Sequence, residues 1–97
     1  MKYSFEQIKK YLQELLEKYC EPELSLWIGE KEYVIILYSD FCSIQRCGEQ
    51  VEIMEFETID KLYESVIFDG IVLKNDWYRI DKIESDDFAY LGLPTVL

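Results

Sequence analysis

From Phe5 to Tyr19 the apolar residues Phe5, Ile8, Leu12, Leu15, Leu16 and Tyr19 recur three and four apart, the period of an amphipathic helix with one buried stripe. Its start is heavily marked: Ser4 stands at the N-cap, Gln7 at the capping-box position, and Tyr3 and Ile8 where a hydrophobic staple closes. Glu6 with Lys10 and Glu14 with Lys18 add favourable i,i+4 pairs on the wet side. Pro22 cannot continue the helix and disfavours helical geometry at Glu21, so the helix is expected to end near Cys20.

The period then switches to two. Leu24, Leu26 and Ile28 alternate with Ser25 and Trp27, which predicts a strand over 24–28, and Gly29-Glu30-Lys31 makes a turn. Residues 32–38 are β-branched and apolar on both alternation sets, as in a central strand covered on both sides. Ser39-Asp40 turns the chain, Phe41–Gln45 returns antiparallel, Cys47-Gly48-Glu49 reverses it again, and Gln50–Phe56 forms a fourth strand. Thr58 caps a short helix whose Ile59, Leu62, Tyr63 and Val66 keep helical spacing, and Asp69-Gly70 is a turn signal. Beyond it two periods compete. Trp77, Ile80 and Ile83 share a helical face behind a cap at Asn75 or Asp76, whereas Tyr78 and Ile80 alternate as in a strand; a helix from about 75 to 83 is the preferred assignment. These elements predict one α+β domain over residues 1–97: an N-terminal amphipathic helix packed on a four-stranded antiparallel β-meander, followed by one or two short C-terminal helices.

Composition supports a packed core and removes many functions. Of the 97 residues 49% are hydrophobic and 15% aromatic, far above what a disordered chain carries. There is no histidine, hence no Ser-His-Asp or Cys-His pair and no imidazole metal ligand. Twenty acids against ten bases give a net charge of −10, which disfavours direct binding to nucleic acid or to anionic lipid. The three cysteines Cys20, Cys42 and Cys47 cannot all pair within one chain, and no signal segment precedes the first helix, so a reducing cytoplasm is the expected compartment. The longest apolar run, Tyr33 to Tyr38, is six residues, against about twenty for a membrane span.

Candidate chemistry is sparse. Cys42 and Cys47 are the first candidates, but a structural zinc site needs four ligands and the chain adds only Cys20; an odd separation within one strand would also turn them to opposite faces. Ser85-Asp86-Asp87-Phe88 lacks the alternation and glycine of a calcium loop, and the four glycines stand singly at turns, so no phosphate cradle is encoded. The expectation is a non-enzymatic protein without cofactor or metal.

The charge is unevenly placed. Residues 1–20 carry four bases and three acids, residues 21–60 two bases and ten acids, and residues 61–97 four bases and seven acids. Glu49, Glu55 and Glu57 share one alternation set around the fourth strand, Glu52 lies on the other, and Glu57, Asp60 and Glu64 line one side of the short helix. Together with Trp27, which falls on the polar set of its strand, these residues are the candidate partner-binding surface, since a row of acids suits a protein partner with a basic surface. The bland alternative is a solvated face that keeps a small protein soluble. A homo-oligomeric structural or accessory protein is the second functional expectation; a small carboxylate or cysteine enzyme is the third.

The stretch Ile67-Phe68-Asp69-Gly70-Ile71-Val72-Leu73, followed by Trp77 and Ile80 and preceded by Thr58-Ile59-Asp60-Lys61-Leu62, resembles the C-terminal part of short uncharacterised proteins carried by Firmicutes and their phages and mobile elements. The resemblance implies a bacterial or phage accessory protein and brings no activity or site residue with it. Joined to the acidic surface, it implies an inhibitor of the anti-CRISPR or anti-restriction kind, one that blocks a basic nucleic-acid-binding surface.

Overall fold

A computed structural model describes residues 1–97. Helix α1 spans Phe5–Lys18, and its N-terminus is the expected capping box: the Ser4 side chain accepts from the Gln7 N–H while the Gln7 side chain accepts from the Ser4 N–H. Phe5, Ile8, Leu12 and Leu15 are buried on its inner stripe. The helix stops slightly earlier than expected, because the N–H groups of Tyr19 and Cys20 both turn back onto the Leu15 carbonyl.

Five strands follow the order β4-β3-β2-β1-β5, every neighbouring pair antiparallel. β1 (Glu23–Ile28), β2 (Lys31–Leu37), β3 (Cys42–Arg46) and β4 (Glu52–Phe56) form the meander. The fifth, β5 (Ile80–Glu84), corrects the helix expected at 75–83. There the chain makes one turn of helix, α3 (Leu73–Asp76), then a 3-10 turn at Trp77–Arg79, and enters the sheet beside β1. The misleading signal has a physical origin. Ile28 pairs with Ile80 and Trp27 with Lys82, which leaves Asp81 as an extra, bulged residue. The bulge turns both Ile80 and Ile83 inward although they are three apart, so a strand acquires the apolar spacing of a helix. The Asp81 carboxylate accepts from the Gly29 N–H and so ties the bulge to the β1–β2 hairpin, whose two-residue turn needs the positive φ of Gly29 (64°).

Helix α2 (Ile59–Glu64) begins where Thr58 accepts from the Lys61 N–H and buries Ile59 and Leu62. It ends before Val66, which the sequence spacing had included and which is exposed. Buried residues of α1, α2 and α3 pack with Leu24, Leu26, Tyr33, Ile35, Ile44 and Ile83 on one face of the sheet. At one end of this core Phe5 stacks on Tyr63 with ring centroids 3.7 Å apart, and Trp77 meets Phe5 edge-on while its indole N–H donates to the Tyr3 carbonyl. The accessible surface, 5722 Å², matches the roughly 6,000 Å² expected of a compact chain of this mass.

The far edge of β5 is closed by the end of the chain. After a 3-10 helix at Asp86–Leu91, residues Thr95 to Leu97 lie alongside β5: Ile83 and Leu97 exchange N–H···O bonds of 3.1 and 2.8 Å, and the Ser85 N–H donates to the Thr95 carbonyl. No helix is long and apolar enough to cross a membrane.

Candidate functional site

The candidate site lies on the uncovered side of β2. Both of its alternation sets are apolar, yet the helices cover only the face that holds Tyr33, Ile35 and Leu37. Val34 and Ile36 point to the opposite, open face, where the expected second cover is missing. Pairing lines up this face in rows: Ile53, Gln45, Val34, Ser25 and Glu84 across one, and Glu55, Ser43, Ile36 and Glu23 across the next. A third row runs from Glu32 through Trp27 to Lys82. Val34 and Ser43 are shielded by their neighbours, Ile36 and Trp27 are half-buried, and Ile53 stays 59% exposed.

Acids gather around Trp27. Glu23, Glu32, Glu84, Asp86 and Asp87 with Ser25 and Trp27 line a shallow bowl of about 400 Å³. None of these five carboxylates takes part in a salt bridge. Lys82 is the one base close by, its Nζ 4.3 Å from the centre of the Trp27 ring as a cation–π contact. The charge here stays uncompensated because the two bases of the meander are committed on the other side of the sheet. Arg46 bonds Glu52 at 2.9 Å and Asp69 at 3.0 Å, and Lys31 lies 3.3 Å from Asp69.

Asp69 is a structural hub. It adopts a left-handed conformation (φ 59°), and its carboxylate accepts from the Tyr33 hydroxyl at 2.6 Å. That bond, with Lys31 and Arg46, holds its acid below the usual carboxylate range despite partial desolvation, while burial and Asp69 push the Tyr33 phenol well above its ordinary value. Tyr33 is 1% exposed, so this is core chemistry and not a surface nucleophile.

Trp27 and Glu55 lie on the open face, three strands apart. Glu52, on the opposite alternation set, is paired with Arg46; Glu57 is paired with Lys61; and Asp60 on α2 holds Lys9 at 2.8 Å. Glu49 sits in the β3–β4 turn and Glu64 at the end of α2, both exposed. The structure therefore does not draw the seven into one patch. The acids it does gather come from β1, β2, β5 and the segment after β5. Glu23 was legible as the next polar position before Ser25 and Trp27, and Glu32 follows from a two-residue hairpin that sets it opposite Trp27. Glu84, Asp86 and Asp87 required β5 to be placed beside β1.

Cys42 is wholly buried against the core, which pushes its thiol up to about 11; Cys47 is half-buried near Glu32 and Glu23, and burial with those charges also raises it. Cys20 is raised by burial and by Asp87. All three thiols are unpaired and protonated at neutral pH, opposite to what a thiolate nucleophile needs. No three or more Cys, Asp or Glu converge in a geometry that could hold a metal ion. No family model, no curated protein and no solved structure matches this chain.

Proposed function

We propose that this protein is a non-enzymatic interaction module whose open sheet face docks on a basic surface of another protein, and that docking there displaces nucleic acid from that surface. The observation that carries the reading is the uncovered apolar set of β2, Val34 and Ile36, flanked by Ile53 and Trp27 and bordered by acids without ion partners. An apolar centre with a charged rim is the anatomy of a protein interface. The rim supplies what a nucleic-acid backbone supplies to a basic groove, and its field favours fast association at low salt.

The test is affinity capture from bacterial lysate at low and high salt with two triple variants of equal charge change. One reverses the open face, Glu32→Lys, Glu55→Lys and Glu84→Lys; the other reverses exposed acids elsewhere, Glu17→Lys, Glu21→Lys and Glu64→Lys. The expected partner is held by the second variant and lost by the first, and releases DNA or RNA when the unmodified protein binds. A partner held equally by both variants, or one that keeps its nucleic acid in the complex, refutes the proposal. Self-association is the second reading, favoured by exposed Val51 and Ile53, and light scattering that shows a stable oligomer would select it.

A further inference from the structure

We infer that β4 is the docking edge for an extended basic segment of the partner, which joins the sheet as a sixth strand beyond Ile53 and Glu55. This rests on the open face being the docking surface and names how the partner engages it. The backbone bonding fixes which groups are available. The Cys47 N–H donates to the Glu32 carbonyl and the Tyr38 N–H to the Phe41 carbonyl, which marks the hydrogen-bonded pairs between β2 and β3. Strict alternation in an antiparallel ladder then assigns Ser43 and Gln45 to β2, and Cys42, Ile44 and Arg46 to β4. On β4 the even residues Glu52, Met54 and Phe56 bond inward. Ile53 and Glu55 are left with N–H and C=O groups aimed outward.

The same alternation at the opposite edge makes Ile83 the outward residue of β5, and there the chain supplies its own cover through Leu97 and Thr95. β4 receives none. Its five residues, Glu-Ile-Met-Glu-Phe, include no proline or lysine and its register with β3 runs without a shift, so the deterrents it does carry are its short length and its two glutamates.

Charge selects the occupant. A second copy brings another −10 to the edge, and the register that sets Glu55 against Glu55 is repulsive. A basic strand meets the same acids favourably. On the open-face side of the new strand, the position opposite Ile53 takes an apolar residue and the position opposite Glu55, two residues away, takes lysine or arginine. Glu49, exposed in the turn before β4, extends the attraction along the strand, whereas Glu57 at the other end is already paired with Lys61. The segment adds to the area of the open face. Five strands about 4.8 Å apart and roughly 17 Å long project only about 410 Å², well below the ~800 Å² per partner of a standard interface.

The test uses the full chain and a short synthetic peptide of alternating lysine and valine, with the same peptide methylated on alternate backbone nitrogens as the comparison. Amide hydrogen exchange by NMR reads the Ile53 and Glu55 N–H groups, and fluorescence titration reads affinity. Expected is protection of those two amides by the plain peptide and binding about tenfold weaker for the methylated one, the worth of one or two backbone hydrogen bonds. Ile53→Pro removes an outward donor without touching the ladder to β3 and should weaken the plain peptide about as much. Equal binding of both peptides, with changes centred on Trp27 and no protection at Ile53 and Glu55, overturns strand addition while leaving the open-face reading standing. Failure of the plain peptide to bind overturns it too. Protection of the two amides by raising the protein concentration alone makes a second copy the occupant and overturns the assignment to a basic segment.

Discussion

Asp69→Ala is the substitution whose cost can be built most fully from the geometry. It orphans the hydroxyl of Tyr33, which is 1% exposed and donates to Asp69 at 2.6 Å; leaving such a group unpaired costs about 1–3 kcal/mol. It also places a β-carbon residue without a helpful polar side chain at φ 59°, worth about 1 kcal/mol more. The bonds to Arg46 and Lys31, partly exposed at the rim, add less than about 1 kcal/mol together. The sum is about 2–5 kcal/mol, a fall in Tm of roughly 10–25 °C for a domain of this size. Asp69→Asn keeps both the left-handed preference and an oxygen for Tyr33 and should cost about 1 kcal/mol. Asp69→Gly relieves only the backbone and falls between the two. Urea unfolding followed by the fluorescence of Trp27 and Trp77 measures all three. In the double-mutant cycle with Tyr33→Phe, the coupling should be about 1–2 kcal/mol, because without the hydroxyl there is nothing left to orphan. If Asp69→Ala costs no more than Asp69→Asn, or the cycle is additive within about 0.5 kcal/mol, the hub does not work as described.

The depressed acidity of Asp69 adds a pH signature: its folded value lies below the ordinary 3.8, so its stabilisation is complete above that ordinary value and is lost as pH falls through the folded one. The stability gap between the unmodified protein and Asp69→Asn should therefore stay constant from pH 7 to about 4.5 and narrow only below. Cys42, fully buried with its thiol near 11, should resist a thiol-exchange reagent at pH 8 until the protein unfolds, while Cys20 and Cys47 react in the folded state. Cys42→Ser should cost about 1–3 kcal/mol in urea titration by burying a hydroxyl among apolar neighbours. Removing Thr95–Leu97 strips β5 of its edge bonds; a loss of about 3 kcal/mol and concentration-dependent association in sedimentation should follow. Ser4→Ala should cost about 1 kcal/mol through the capping box, read from the shift in thermal midpoint.

What the sequence made legible follows from how local each signal is. α1 was readable because periodicity, cap and staple all lie within a few residues of one another, and the meander because each reversal is marked by glycine or a polar pair. β5 was hidden by a non-local cause: the bulge at Asp81 exists only in pairing with β1, and its effect on Ile80 and Ile83 imitates a helical period. The candidate site depended on that same pairing. An apolar run such as Val34-Ile35-Ile36 states that two faces of a strand avoid water, and only the placement of the helices decides which face is covered by the chain itself. Ion pairing was equally out of reach, since Lys9 with Asp60 and Arg46 with Asp69 join residues far apart along the chain.

The pairing of β1 with β5 also sets an order of assembly. β1 meets β2 through a two-residue turn but meets β5 across more than half the chain, Ser25 opposite Glu84. Closing that long loop costs about 2 kcal/mol more than closing a short hairpin, so the last strand should dock after the meander has formed. The acidic bowl around Trp27 takes Glu84, Asp86 and Asp87 from that late segment. A chain still emerging from the ribosome would hold the four-stranded meander without Glu84, Asp86 and Asp87, so the ring of charge around Trp27 is completed only when β5 docks.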